Sequence, residues 1–125
     1  MSLTPTALPA VDLAVLATYE EAQLEGEPDF VVELIDLYLD EVPRLFESLH
    51  SAIQNNNATT TKRAAHSLRG SSGNLGVLQM ALIADELEHL ANPCGSSATE
   101  LLQSLEAEFQ RVTEILSAER QKRSR

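Results

Sequence analysis

Ala64-Ala65-His66-Ser67-Leu68-Arg69-Gly70-Ser71-Ser72-Gly73-Asn74-Leu75-Gly76 is the stretch on which the fold turns. It sets a single histidine among small residues and beside an arginine. Wound as a helix at about 100° per residue, it puts Thr61, Ala65, Leu68, Ser72 and Leu75 on one stripe. Lys62, His66, Arg69, Gly70 and Gly73 fall on roughly the opposite face. The histidine is therefore predicted to face solvent, between two cations and two residues without side chains. A glycine on an exposed helix face costs roughly 1 kcal/mol relative to alanine. That cost makes sense where another surface must come close.

Outward from this stretch the chain reads as helices. Upstream, Leu34, Ile35, Tyr38, Leu39, Val42, Leu45, Phe46, Leu49 and Ile53 keep a helical period from Phe30 onward, the pattern of a long core-facing helix. Pro43 interrupts it without breaking the register, so a kink is expected. Glu27-Pro28-Asp29 opens this helix, with Pro28 at a tolerated first-turn position, and Asn55-Asn56-Asn57 closes it. The third helix spans residues 58–75, capped by Asn57 and stopped by Gly76. Val77, Met80, Ala81, Ala84, Leu87 and Leu90 form the buried stripe of a fourth helix that stops at Asn92-Pro93. Ser97 or Thr99 caps a last helix with the stripe Leu101, Leu102, Leu105, Phe109, Val112 and Ile115 or Leu116. Before all of these, Asp12 caps a short helix carrying Leu13, Leu16 and Tyr19, expected to lid one end of the bundle. The expected fold is all-α: an antiparallel four-helix bundle with a short extra N-terminal helix. Residues 1–10 read as a flexible lead-in, 11–119 as the bundle domain and 120–125 as a frayed basic tail.

Composition narrows the partners. The 125-residue chain suits one domain and carries a formal net charge of −10. Nucleic acid and anionic membranes both demand a basic footprint, so neither is expected as a partner. A local exception exists: residues 48–83 contain no Asp or Glu, while Lys62, Arg63 and Arg69 lie there. The acidic residues 20–47 read as the solvated side of the bundle. A single cysteine, Cys94, fits a reducing compartment, and no apolar run approaches the roughly 18 residues of a membrane span. A cytoplasmic monomer is the expectation.

Familiar site chemistry is missing: there is no phosphate-cradling glycine loop, no His-Glu-x-x-His and no cysteine pair for zinc, so no cofactor and no metal are expected. His50 and His89 read as structural or surface groups, and Glu86-Leu87-Glu88-His89 as a solvated helix face. Ser71 and Ser72 lie off the face of His66, which leaves no base for a serine nucleophile. What remains is His66 itself. Neutral imidazole is the most capable nitrogen nucleophile near neutral pH, its unperturbed pKa being about 6.5. Arg69 one turn on and Lys62 one turn before can balance a dianionic group placed on the ring.

Ala65-His66-Ser67-Leu68-Arg69-Gly70-Ser71-Ser72-Gly73-Asn74-Leu75-Gly76 resembles the signature of histidine-containing phosphotransfer (HPt) domains, the intermediates of multistep two-component phosphorelays. The flanks extend the likeness over residues 28–92, through the long helix with its internal proline and the Leu-x-x-x-x-Leu-Glu segment at Leu82 to Glu88. The resemblance implies that His66 takes a phosphoryl group on Nε2 from a receiver-domain aspartyl phosphate and passes it to another receiver aspartate. The implied partners are response-regulator receiver domains and hybrid sensor histidine kinases, with no kinase or phosphatase activity in the chain itself. Arg69, with Lys62, would steady the phosphoryl group or the partner. Gly70 and Gly73 would leave room for docking, and Glu88 would take the Nδ1 hydrogen of His66. The chain departs from the pattern with Arg69 in place of Lys, with Asn92 where a basic residue is common, and with Thr61 at a usually apolar position. Two other classes remain open: a bundle that docks receivers or kinases without phosphotransfer, and a metal or haem bundle, whose ligands would have to converge inward.

Overall fold

In the computed structural model, which describes residues 9–21 and 23–123, the chain folds into helices joined by short connections. They are α1 (Leu13–Glu20), α2 (Phe30–Gln54), α3 (Ala58–Asn74), α4 (Leu78–Glu88) and α5 (Ser96–Arg123). Among the described residues there is no strand. The packing closes a ring: α2 lies on α3, α3 on α4, α4 on α5 and α5 back on α2, with α1 against α2. Short loops between consecutive packed helices make neighbours antiparallel.

The stripe anticipated on α3 is the buried one. Thr61, Ala65, Leu68 and Ser72 are fully buried and Leu75 nearly so, against Ile35, Tyr38, Val42 and Leu49 of α2 and Met80, Ala84 and Leu87 of α4 in a single core. Burying the two hydroxyls on this stripe requires partners for them. Thr61 Oγ1 donates to the Asn57 carbonyl at 3.1 Å, one turn back, so the start of α3 is satisfied where an apolar residue is the norm. The Ser72 and Tyr38 hydroxyls bond each other at 2.7 Å across the α2–α3 contact. Burial is the first influence on the Tyr38 phenol and pushes it well above the ordinary tyrosine range, so it stays a neutral hydroxyl. Edge-on packing of Phe109 against Phe46 and Tyr38 completes the centre, with ring centroids 5.6 and 6.3 Å apart.

Helix ends differ in detail from the sequence reading. Asp29 caps α2: its carboxylate accepts from the Val31 and Val32 amides, which places Pro28 just outside the helix and not in its first turn. Pro43 sits inside α2 on its exposed side, and the helix runs through it. α4 stops at Glu88, before the Asn92-Pro93 boundary, and Ser96 already belongs to α5. On α1 only Leu16 is fully buried; Leu13 turns to solvent, and Tyr19 lies half-buried with its hydroxyl donating to the Asn74 carbonyl at 2.8 Å.

The frayed tail expected from Arg120 is corrected by the structure over residues 120–123, which continue α5. Arg120 donates twice to Asp36 of α2, at 2.6 and 3.1 Å, and Arg123 bridges Glu20 of α1 and Glu119 at 2.6 and 2.9 Å. These pairs fasten the end of α5 to α1 and α2. Of the expected lead-in, residues 1–8 lie outside the described residues; Ala10 at its end is buried in the core.

Gly76 carries the turn between α3 and α4 at φ +76, where a Cβ would come within 2.7 Å of the Asp12 carbonyl oxygen. The Asp12 amide donates to the Gly76 carbonyl at 2.7 Å, so the start of α1 is held to that turn through the backbone. Only glycine accommodates both the left-handed backbone and the close approach.

Tyr38→Phe is expected to lower the stability of the fold by about 1–2 kcal/mol, because it strands the buried Ser72 hydroxyl. Urea unfolding followed by circular dichroism measures this, with an unchanged slope expected alongside the lower midpoint.

Candidate functional site

The candidate site lies where the outward face of α3 meets the C-terminal end of α4. His66 is in the middle of α3, with its side chain 62% exposed. It faces outward because its neighbours on the helix, Ala65 and Leu68, are the buried ones. Gly70 and Gly73 follow along the same face, and a Cβ built on either would meet nothing within 4 Å. Neither glycine is there to let a neighbouring helix approach. Both leave a bare strip of backbone open to the outside.

Glu88 reaches His66 from the last turn of α4. Its Oε2 is 2.8 Å from His66 Nδ1, and its side chain is only 19% exposed, so it does not belong to the solvated face read from Glu86 to His89. Arg69 crosses from α3 to the same carboxylate, donating from Nε to Oε1 at 3.1 Å. Burial works first against ionisation of Glu88. The hydrogen bond from His66 and the charges of His66, Arg69 and His89 outweigh it and hold the carboxyl below its ordinary range.

These contacts decide the tautomer. An ionised carboxylate only accepts hydrogen bonds, so a ring nitrogen 2.8 Å from it must carry the proton. Arg69 Nη2 also lies 3.1 Å from Nδ1. A guanidinium only donates, so once Nδ1 bears hydrogen this second approach is a close contact and not a bond. The proton therefore sits on Nδ1, and in the neutral ring the Nε2 lone pair is left for an incoming electrophile. No hydrogen bond to Nε2 is made among the described residues.

His66, Arg69 and Glu88 are thus brought together. Lys62 is exposed one turn before His66 and makes no ion pair with another described residue. Ser72 faces inward to Tyr38, whereas Ser71 Oγ donates to Glu41 Oε1 of α2 at 2.8 Å, so the paired serines tie α3 to α2. Two participants escaped the sequence reading. Asp85 stands 3.8 Å from Arg69 Nε, and Glu41 receives Ser71. The spacing of Asp85 and Glu88, three residues apart on one helix, is the signal that could have paired them. His50 bonds Glu106 of α5 at 2.8 Å, away from this face.

Because its folded value is depressed, the Glu88 contact contributes fully above the ordinary carboxylate value of 4.5. It is lost as pH falls through the lowered folded value. His66→Ala removes the main lowering influence, so the Glu88 titration is expected to move upward in that variant, as read by carbon NMR of the side-chain carboxyl.

Two comparisons with known proteins find a match. The family model of the Hpt domain matches residues 33–121. Among curated proteins no sequence matches the chain. The crystal structure of histidine-containing phosphotransfer protein B (HptB) from Pseudomonas aeruginosa PAO1 is similar, with a TM-score of 0.82 at 31% identity over 93% of this chain and 98% of that one. A helical bundle of the same shape, matched by the family model over most of its length, places the chain in the Hpt domain family.

Proposed function

We propose that the chain is a phosphorelay carrier in which His66 accepts a phosphoryl group on Nε2 from the aspartyl phosphate of a receiver domain and returns it to the aspartate of another. The observation that carries this reading is the 2.8 Å contact of Glu88 with Nδ1 beneath an exposed ring, with two bare glycines along the same face. In the forward step the Nε2 lone pair attacks phosphorus, the N–P bond forms, and the P–O bond to the receiver aspartate breaks with its electron pair leaving on the carboxylate. The Nδ1 hydrogen stays in place, so the ring becomes positive as the bond forms. The Glu88 carboxylate then faces a growing positive charge, and its hydrogen bond is worth more in the transition state than before it.

The chain brings the nucleophile and a docking surface. Activation of the acyl phosphate, including its magnesium ion, belongs to the receiver. In this reading the chain has no kinase or phosphatase activity of its own. Arg69 and Lys62 supply cations for the dianionic group, and Gly70 and Gly73 admit the receiver's loops. The partners are response-regulator receiver domains and hybrid sensor histidine kinases, engaged by a monomer in the cytoplasm. No described helix is long and apolar enough to cross a membrane.

A receiver domain carrying labelled phosphate is expected to pass label to this chain as an acid-labile, base-stable adduct. His66→Gln is expected to abolish the transfer while leaving the helical circular dichroism unchanged. Label that survives this substitution would overturn the assignment.

Gly70→Leu tests the docking face separately. Nothing within 4 Å meets a Cβ at Gly70, so the fold is expected to gain about 1 kcal/mol from the better helix former. Transfer from the receiver is expected to slow at least tenfold, seen by comparing unfolding midpoints with label transfer on the same preparation.

A further inference from the structure

Asp85, Glu88 and His89 bring ligating atoms within 4.8 Å of one another on α4. That cluster already holds a cation, since Arg69 Nε lies 3.1 Å from Glu88 Oε1 and 3.8 Å from Asp85 Oδ1. The two carboxylates are not equivalent. Glu88 is also bound to His66 Nδ1, whereas Asp85, 47% exposed, pairs among the described residues with Arg69 and its helix neighbour His89, whose Nδ1 is 3.3 Å from Asp85 Oδ1 and 2.9 Å from the Asp85 carbonyl. With Nη2 3.1 Å from Nδ1, the guanidinium sits on the Nδ1 side of the ring. The nitrogen assigned to phosphorus is the other one.

We propose that Asp85 is a positioning residue that sets how firmly the phosphoryl group is retained on His66, by competing with it for Arg69. The proposal rests on the reading of His66 as phosphoacceptor. In the unphosphorylated chain both carboxylates neutralise Arg69. Phosphorylation places nearly two negative charges at Nε2, and the planar guanidinium matches phosphate oxygens well. Glu88 is committed to the Nδ1 hydrogen, so the looser contact to Asp85 is the one that yields. Lys62 makes no ion pair with another described residue and gives up nothing when the phosphoryl group arrives. Asp85 therefore favours the unphosphorylated state, which suits a carrier that must release what it takes.

The test is the equilibrium partition of label between the full chain and a receiver domain that exchanges label with it. Asp85→Asn is expected to shift this partition about two- to five-fold toward phosphohistidine, the range of a partly exposed ion pair. In an Arg69→Ala background the same change is expected to do nothing, because the contested cation is gone. An unchanged partition on Asp85→Asn alone overturns the proposal. So does an equal shift in both backgrounds, which would mean simple repulsion between Asp85 and the phosphoryl group. Absence of label at His66 in the wild-type chain overturns the phosphoacceptor reading instead.

Discussion

An imidazole offers a lone pair at one nitrogen only while the other keeps its proton, and in this chain the 2.8 Å contact from His66 Nδ1 to Glu88 is what keeps it. The two residues stand on different helices, so the contact depends on the register of α3 against α4. That register comes from the interior. Ala65, Leu68 and Ser72 on one helix and Ala84 and Leu87 on the other are fully buried in one core. A shift of one residue along either helix would rotate its side chains by about 100° and take the carboxylate off the ring. The core is therefore what aims the proton.

The outward half of α3 obeys a different constraint. Gly70 and Gly73 contribute no packing and each weakens the helix by roughly 1 kcal/mol. The inward half offsets this with contacts to two neighbours: Ser72 to Tyr38 and Ser71 to Glu41 on α2, and the apolar stripe on α4. Gly76 has the opposite character. Its backbone at φ +76 and the Asp12 oxygen close by make it a structural necessity of the turn on which α1 rests. The third helix is thus held firmly at its sides and its end while one face remains bare.

Period alone made much of this legible. The rotation per residue sorted Thr61, Ala65, Leu68, Ser72 and Leu75 inward and Lys62, His66, Arg69, Gly70 and Gly73 outward, because burial on a helix follows geometry that the chain itself carries. Contacts between helices were legible only where the resemblance supplied them, as for Glu88. The spacing of Asp85 and Glu88 was visible, but that Arg69 meets Asp85, and Ser71 meets Glu41, depends on the register of separate helices, which no spacing within one helix reveals. The end of α5 was misjudged for the same reason. Basic residues at a terminus look unsupported until Asp36 of α2 and Glu20 of α1 are placed beside them. At Pro28 the error was local: proline is tolerated at a first helical position, but the Asp29 carboxylate, able to accept from two amides, claimed the cap.

Charge gives the arrangement its direction. The chain is strongly acidic, yet residues 48–83 carry no carboxylate, so the negative charge beside His66 comes from α4, while Glu41 of α2 is bonded to Ser71. There it has two separable tasks, with Glu88 holding the ring proton and Asp85 occupied with Arg69. In the proposed relay role, deeper burial of the same groups would strengthen every electrostatic contact and hold the phosphoryl group more tightly. A carrier gains nothing from that, since tighter retention slows the return step by as much as it favours the first. An exposed ring, a cation shared with carboxylates and a bare helix face keep the two directions near balance, and leave the receiver's own site to supply the rate.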